Sequence, residues 1–324
     1  MPDIHVPNAE PKFGVLMITY NHEKFIAQAL ESVLMQKADF PFELVIGDDC
    51  STDGTREIVR EYSQKYPEII RAHLRERNIG AKENFRQVFL ASRGRYLALL
   101  EGDDYWTDSR KLQLLADVLD AHPETTLRGH RTIRHDEDGA RPDEVAEKSP
   151  PGFYDLEALL PGCFLHTMSV MFRHVIEEPP AWCSHLLMGD VPLFVELARH
   201  GNICFLDECM AVYRIHGGGV WSGLDDIKRS RSNLELYQAY YDNLDPKYRP
   251  AIRKGLCNVV FETGLAQFAA GRPDQVRQSL REHFGLCGPF ECLPQKALLA
   301  LKGYGWWIYP SWRQARRLWR RQKA

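Results

Sequence analysis

Residues 96–106 read Y-L-A-L-L-E-G-D-D-Y-W, an apolar run that ends in three carboxylates with only a glycine among them. The apolar part predicts a buried strand, so Glu101, Asp103 and Asp104 lie at its carboxyl end. Carboxylates a few Å apart repel one another, and burial raises their pKa values. A divalent cation such as Mg²⁺ or Mn²⁺ would relieve that repulsion, because both ions prefer oxygen ligands. The alternative is an acidic turn that caps a helix beginning near Ser109.

Strands and helices alternate at short spacing along the first part of the chain. This alternation favours a mainly parallel sheet with helices on both faces. Ligands of such sheets bind outside the carboxyl ends of the strands, and three predicted strands end there in polar residues, at 19–21, 48–49 and 101–104. The predicted strands are 13–20, 42–47, 69–74, 95–100 and 125–134, and helical periodicity covers 23–36, the segment up to about 66, 81–91 and 191–199.

Several short motifs in this region occur in a recognisable order. They are V-L-M-I-T-Y-N at 15–21, L-V-I-G-D-D-C-S-T-D-G-T at 44–55, R-N-I-G at 77–80, the stretch 96–106, M-G-D-V-P-L-F-V-E-L-A-R-H-G at 188–201 and F-L-D-E-C-M-A-V-Y-R-I-H-G-G-G-V-W-S at 205–222. The first four resemble the nucleotide-sugar-binding half of the family 2 glycosyltransferases, which have the glycosyltransferase A fold. The last two resemble the acceptor-side half of that family.

The resemblance implies an α/β, Rossmann-like catalytic domain of the glycosyltransferase A type over residues 1–222. Its nucleotide-sugar half would span about 12–108 and its acceptor half about 109–222, and the acidic, proline-containing run at 136–151 predicts a solvated loop. Residues 223–324 have helical periodicity and predict a C-terminal helical region with a basic amphipathic tail. Within that region the predicted helices are 227–241, 248–270 and 273–284.

The family's chemistry is an inverting transfer, in which an acceptor hydroxyl displaces a nucleoside diphosphate. The resemblance implies that Asp103 and Asp104 hold Mg²⁺ or Mn²⁺, with Asp104 closest to the ion and Asp103 also near the ribose. Glu101 stands where the family usually has aspartate, so its coordination of the ion is left open. Asp190 matches the general base, and a helix N-cap is the alternative role for this carboxylate.

The resemblance also implies contacts to the donor and the acceptor. Asp49 would accept a hydrogen bond from the nucleobase, although Asp48 and Asp49 could instead cap the following helix. The implied nucleotide-sugar contacts are Thr19, Tyr20, Asn21, Asp49, Asn78, Asn84, Asp103, Arg214 and His216, of which Arg214 and His216 would belong to a loop that closes over the diphosphate. Aromatic faces stack on sugar rings, so the predicted border of the acceptor pocket is Trp106, His166 and Trp221, with core packing as the alternative.

Charge is distributed unevenly along the 324 residues, whose formal net charge is −3. Eight of the 41 basic residues lie in 292–324, which has no acidic residue. The rest of the chain therefore contains 33 basic and 44 acidic residues. This acidic balance argues against a nucleic-acid partner for the catalytic domain. In the tail, Ile308, Trp312, Ala315 and Trp319 share one helical face. They predict binding to an anionic membrane surface, or docking on the catalytic domain with the arginines outward.

Other sequence features bound the function. The turn after the first strand has no glycine, which argues against a G-x-G-x-x-G dinucleotide site. Eight cysteines without a C-x-x-C pair predict reduced thiols, and we expect a cytoplasmic protein, peripheral at the inner face of the plasma membrane. The predicted function is transfer from a UDP-sugar to a saccharide or lipid-linked acceptor in bacterial surface polysaccharide or glycolipid synthesis. A nucleotide-sugar-binding scaffold without transferase activity is the alternative.

Overall fold

The computed structural model describes residues 11–146 and 149–283, with side chains as far as residue 278. The predicted tail helix around Trp312 and Trp319 lies outside these residues. The strands are β1 (Phe13–Thr19), β2 (Phe42–Asp48), β3 (Ile70–Leu74), β4 (Tyr96–Glu101), β5 (Tyr105–Trp106), β6 (Thr125–Asp136), β7 (Glu144–Val145), β8 (Gly152–Tyr154), β9 (Met171–Arg173) and β10 (Asn202–Ile215). The helices are α1 (Ile26–Leu34), α2 (Thr55–Lys65), α3 (Ala81–Ala91), α4 (Lys111–Ala121), α5 (Leu156–Leu159), α6 (Asp190–Ala198), α7 (Asp226–Asn243), α8 (Arg249–Ala269) and α9 (Pro273–His283).

These strands form one sheet in the order β3-β2-β1-β4-β9-β6-β10-β5, with β7 on β6 and β8 on β10. The β3-β2-β1-β4 section is entirely parallel, and β6 and β10 also pair in parallel. The short strand β9 is antiparallel to both β4 and β6 and joins the two parallel sections. The predicted α/β architecture with a mostly parallel sheet is confirmed.

Helices cover both faces of the parallel section because successive side chains of a strand point to opposite sides. From β1, Phe13, Val15 and Met17 pack in one buried cluster with apolar residues of α1 and α4. Gly47 of β2 marks the other face, where an added Cβ would lie 2.7 Å from Val88 Cγ2 in α3. The glycine therefore lets α3 approach the sheet closely.

Two loops are bound together at the carboxyl edge of this section. Asn21 after β1 and Cys50 after β2 both have left-handed backbone conformations, with φ of 57° and 63°. The Asn21 amide oxygen accepts a hydrogen bond from the Thr52 backbone at 2.8 Å, and the Asn21 N–H donates to Ser51 Oγ at 3.0 Å. The sequence predicts a ligand at this edge, and the two turns that form it are joined by hydrogen bonds.

The strands of the second half depart most from the prediction. Sequence periodicity does not identify β9 or the 14-residue β10. In β10 the alternation is broken at the exposed Asp207 and Glu208, where the pairing with β6 changes register. The predicted loop at 136–151 also contains β7, which pairs with β6.

Contacts divide the described chain into two units. The first contains the sheet and ends at Gly219, and the second comprises 160–162, 185–188 and the chain from Val220 onward. In the second unit, α7 and α8 pack closely because Gly255 has no side chain: an added Cβ would lie 2.1 Å from the Tyr237 hydroxyl. No helix within the described ranges has both the length and the apolar content needed to cross a membrane.

Candidate active site

The acidic residues after β4 form a compact cluster at the carboxyl edge of the sheet. Oxygen atoms of Glu101, Asp103 and Asp104 all lie within 4.8 Å of one another. Gly102 makes this placement possible, because an added Cβ would lie 2.6 Å from Thr19 Oγ1. The Gly102 N–H also donates to the Ile18 carbonyl at 3.0 Å, which holds the acidic turn against the end of β1.

The three carboxylates differ in their electrostatics. Burial, together with the charges of Asp103 and Asp190, raises the pKa of Glu101 to about 8. Burial and the charges of Asp103 and Glu101 raise the pKa of Asp104 well above its ordinary value. For Asp103, burial acts in the same direction but is outweighed by the hydrogen bond to His216 and by nearby histidine charge, so its pKa is lowered. Asp103 is therefore the carboxylate of this cluster that ionises most readily.

The partners of Asp104 show that this cluster fits a cation. Its Oδ1 accepts a hydrogen bond from the Arg214 N–H at 2.8 Å. Its Oδ2 is buried and has no hydrogen-bond partner among the residues that the structure describes. An orphaned carboxylate oxygen beside two further carboxylates is a donor set that suits a hard divalent cation such as Mg²⁺ or Mn²⁺.

Two histidines face Asp103. His216, directly after β10, has Nε2 3.0 Å from Asp103 Oδ2. His22, after β1, has Nε2 3.7 Å from the same oxygen and Nδ1 3.2 Å from Thr19 Oγ1. Burial lowers the pKa of His22. Our motif reading missed His22, although it directly follows the T-Y-N motif and could have been identified there.

Arg214 holds the acidic turn and is not on a mobile loop, which corrects our expectation for this residue. It lies within β10 with 5% of its surface exposed. Its guanidinium donates to the Asp103 carbonyl at 2.6 Å, pairs with Glu137 Oε1 at 2.7 Å and hydrogen-bonds Gln28. It also lies over the Tyr105 ring, with 4.4 Å from Cζ to the centroid. With these contacts its role is to position the turn.

Asp190 is the first residue of α6 and reaches the same site. Gly189, not Asp190, is the N-cap residue of α6, and no side chain caps the helix there, so the capping alternative does not hold. Asp190 Oδ2 accepts a hydrogen bond from Thr167 Oγ1 at 2.9 Å. Its charge is among the causes that raise the pKa of Glu101, and it acts in the same direction on Tyr213.

Asp49 fixes the loop that leads into α3. Its Oδ1 and Oδ2 accept hydrogen bonds from the backbone N–H groups of Ile79 and Gly80, at 2.7 and 2.9 Å. Asp48 accepts instead from Ser51, and α2 begins at Thr55, so neither carboxylate caps that helix. A carboxylate oxygen has two acceptor positions, so each oxygen of Asp49 retains capacity for one further donor.

The other predicted nucleotide contacts differ in accessibility. Tyr20 is 44% exposed, Asn21 and Asn78 are exposed, and Thr19 is buried with 2% of its surface exposed. Asn84 is 1% exposed, and its amide donates to the Gly47 carbonyl and accepts from Arg75 Nε. The side chain of Asn84 is therefore buried against β2 and is not exposed to a ligand.

Arg75 was not singled out in the sequence, and it lies on the same edge, directly after β3. Its Nε donates to Asn84 at 3.1 Å, while its Nη2 is buried without a hydrogen-bond partner. A buried guanidinium nitrogen without an acceptor is costly. This nitrogen is therefore available to a ligand oxygen.

The three predicted acceptor residues lie in different environments. Trp106 is 1% exposed, and its indole donates to the Met168 carbonyl at 3.0 Å, so it is a core residue and our acceptor prediction for it is corrected. His166 is half-buried, with Nδ1 2.6 Å from Thr132 Oγ1, and its ring stacks on Tyr213 at 5.6 Å. Trp221 belongs to the second unit.

Comparison with known proteins identifies relatives of the chain. An uncharacterized protein of Mycobacterium tuberculosis is 43% identical over 210 residues, which cover 64% of this chain and 60% of that protein. The chain thus spans about 60% of the length of that relative. The poly(ribitol-phosphate) beta-N-acetylglucosaminyltransferase TarS of Staphylococcus aureus is 37% identical over 120 residues, or 36% of this chain and 20% of TarS.

Solved structures share the fold. TarS 1–349 in complex with UDP-GlcNAc has a TM-score of 0.57 at 20% identity, covering 89% of this chain and 79% of that one. A mannosyltransferase from Pyrobaculum calidifontis in complex with GDP-Man and Mn²⁺ has a TM-score of 0.58 at 17% identity, covering 94% and 83%. The family profile described as Glycosyl transferase family 2 matches residues 14–178, more than half of the sequence. The chain therefore belongs to glycosyl transferase family 2.

Proposed function

We propose that this protein transfers a sugar from a nucleoside-diphosphate sugar, preferentially a UDP-sugar, to a hydroxyl of a saccharide or lipid-linked acceptor, with inversion at the anomeric carbon. One observation carries the proposal: Asp190 is close enough to the acidic cluster for its charge to raise the pKa of Glu101. Inverting transfer needs an acceptor base and a group that neutralises the leaving diphosphate within one site. Asp190 and the acidic cluster supply this pair.

The leaving-group side consists of Asp103 and Asp104, which would hold Mg²⁺ or Mn²⁺. Such a cation neutralises the charge that develops on a departing diphosphate. His216 and His22 orient Asp103 through its Oδ2, and Arg214 donates hydrogen bonds to the Asp103 backbone carbonyl and to the Asp104 carboxylate. These contacts keep the acidic turn in one geometry before the donor binds, which lowers the cost of binding it.

On the acceptor side, Asp190 takes the proton of the attacking hydroxyl. Thr167 occupies Asp190 Oδ2, which leaves Oδ1 for the acceptor. His166, stacked on Tyr213 beside Thr167, forms a wall of the proposed acceptor pocket.

The nucleotide side uses the loops after β1, β2 and β3. Asp49 accepts a hydrogen bond from the base, and the exposed Tyr20 offers a ring face for stacking. The free Nη2 of Arg75 donates to an oxygen of the base. Asn21 and Asn78, exposed on neighbouring loops, contact the ribose or the phosphates.

The biological setting is the synthesis of bacterial surface polysaccharide or glycolipid. This proposal draws on the similarity to TarS, which is named for a poly(ribitol-phosphate) acceptor. It assigns catalysis to residues 1–222 and places the protein in the cytoplasm, peripheral at the inner face of the plasma membrane.

A thermal-shift screen of the full chain tests the donor assignment. UDP-GlcNAc, GDP-mannose and a dTDP-sugar are compared with and without Mn²⁺, since a ligand at 100 times its Kd stabilises by about 2.7 kcal/mol. We expect UDP compounds to raise the unfolding temperature only with the cation present. A shift with GDP or dTDP compounds alone would overturn the UDP preference. Product in which the donor's anomeric configuration is retained would overturn inversion, and donor binding without turnover would support the scaffold alternative.

A further inference from the structure

A short turn carries the residue that contacts Asp190. Thr167–Ser169 form one turn of 3₁₀ helix. The Ser169 N–H and hydroxyl both donate to the His166 carbonyl, at 2.9 and 2.7 Å, and the Val170 N–H donates to the Thr167 carbonyl at 3.0 Å. These hydrogen bonds hold the turn in one conformation. A contact that fixes the orientation of the turn therefore also fixes the position of Thr167.

The side chains of Trp106 and Lys111 hold the turn through hydrogen bonds to one carbonyl group. The Met168 carbonyl accepts a hydrogen bond from Trp106 Nε1 at 3.0 Å and another from Lys111 Nζ at 2.5 Å. Lys111 Nζ also lies 4.3 Å from the centroid of the Trp106 ring. Both lone pairs of the carbonyl are used, and the peptide between Met168 and Ser169 is held in one orientation.

The burial of Lys111 indicates that its amine is not there for stability. The side chain is fully buried, and burial lowers its pKa well below the ordinary value. Its partners among the described residues are a carbonyl and an aromatic ring. An apolar side chain of similar length would avoid the cost of burying an amine, and such replacements are often neutral or stabilising. The residue therefore suggests a role in geometry.

We propose that Thr167 and Lys111 are positioning residues for the general base: Lys111 and Trp106 hold the Met168 carbonyl, the carbonyl holds the 167–169 turn, and the Thr167 hydroxyl holds Asp190. This inference rests on the proposed function, because it assigns the role of Asp190 as base. A hydrogen bond to one carboxylate oxygen restricts rotation of the group and directs the other oxygen at the acceptor. Misplacement of a reacting group by about 1 Å can cost about 10²-fold in rate.

The Thr167 test has a control threonine that contacts the other end of α6. Thr126, in β6, is buried, and its hydroxyl donates to the Leu197 carbonyl near the end of that helix, at 2.8 Å. We expect Thr167→Val to lower kcat about 10- to 100-fold with the donor KM unchanged, and Thr167→Ser to restore it. Thr126→Val, which deletes the same group, should leave kcat near the wild-type value. Equal effects of the two valine substitutions, or no effect at Thr167, would overturn the inference.

Lys111→Met separates positioning from stability. We expect the unfolding temperature to stay or rise while kcat falls with the donor KM unchanged. In an Asp190→Asn background, Thr167→Val and Lys111→Met should cause no further loss, because they act through that carboxylate. A fall in unfolding temperature with unchanged kcat would make Lys111 merely structural.

A structural measurement does not depend on turnover, so it tests this inference separately from the proposed function. Crystal structures of the full chain should show Asp190 rotated in Thr167→Val and in its wild-type position in Thr167→Ser. If the wild-type protein has no transferase activity, the proposed function fails, and these structures still test the positioning of Asp190. An unmoved Asp190 carboxylate in Thr167→Val would overturn the inference even in an active enzyme.

Discussion

At the scale of single residues, burial and neighbouring charges separate the pKa values of the carboxylates. The hydrogen bond to His216 and nearby histidine charge lower the pKa of Asp103, whereas burial and the charges of Asp103 and Glu101 raise the pKa of Asp104. Motifs in the sequence located both aspartates. They did not show the partners, because His22 follows β1 and Arg214 lies in β10, and both are far from the acidic turn in the chain and meet it only in the fold.

Asp104→Ala tests whether the cluster is functional or structural. The substitution removes one of three crowded carboxylates, so repulsion in the metal-free protein falls. We expect the unfolding temperature without ligand to stay or rise, and Mn²⁺-dependent binding of nucleoside diphosphate, measured by calorimetry, to be lost. A marked drop in metal-free stability would show that the acidic turn serves the fold.

Glu101 should make stability depend on pH. Its pKa is raised from 4.5 to about 8, so the fold favours the protonated form. Below pH 4.5 Glu101 is protonated in both the folded and the unfolded protein, and this stabilisation is fully present. As the pH rises through the window from 4.5 to 8, the unfolded state loses the proton first, and the free energy of unfolding falls by up to about 1.4 kcal/mol per pH unit.

Urea denaturation of the metal-free protein at pH 5 and pH 8 measures this effect. Glu101→Gln cannot ionise, so it should lose much less stability than the wild type between the two pH values. Parallel losses in the two proteins would mean that Glu101 is not buried as a proton-binding group.

At the scale of elements, the turn after β4 depends on one glycine. A Cβ at Gly102 would lie 2.6 Å from Thr19 Oγ1 and 3.0 Å from His22 Nδ1. The sequence predicted β1 to β4 and their helices because their apolar runs are unbroken. It did not predict β9, which has three residues, or β10, where Asp207 and Glu208 interrupt the alternation.

Gly102→Ala should push the acidic turn away from β1. Overpacking of this kind costs about 1–3 kcal/mol, and we expect a lower unfolding temperature together with weaker Mn²⁺ binding. Gly162→Ala is the control, because nothing lies within 4 Å of a Cβ at that position. If Gly102→Ala binds Mn²⁺ as the wild type does, close contact between the turn and β1 is not required.

At the scale of the whole molecule, the sequence predicted the fold class and the family correctly. The motifs that carry them lie at the ends of parallel strands, where the chain must supply ligand contacts. The sequence could not show whether Trp106 lies in the hydrophobic core or borders the acceptor pocket, since an aromatic residue suits both environments. Only the hydrogen bond to Met168 and the 1% exposure of Trp106 decide that question.

The basic tail is tested by deletion. If residues 303–324 bind membranes, the intact chain should co-sediment with anionic vesicles at low salt and dissociate at high salt, since each basic residue contributes about 1 kcal/mol at the surface. Deletion of 303–324 should abolish co-sedimentation and preserve donor hydrolysis. An intact chain that stays in the supernatant, or a deletion that unfolds the protein, would assign the tail to packing.

The central claim is that Asp190 is the base of a sugar transfer at the acidic site. Its most direct test is the turnover of Asp190→Asn, measured beside donor binding with Mn²⁺. The amide keeps the shape of the side chain but cannot take a proton, so we predict donor affinity near that of the wild type and a loss of about 10²–10⁴-fold in turnover. Turnover close to the wild-type value would contradict the account.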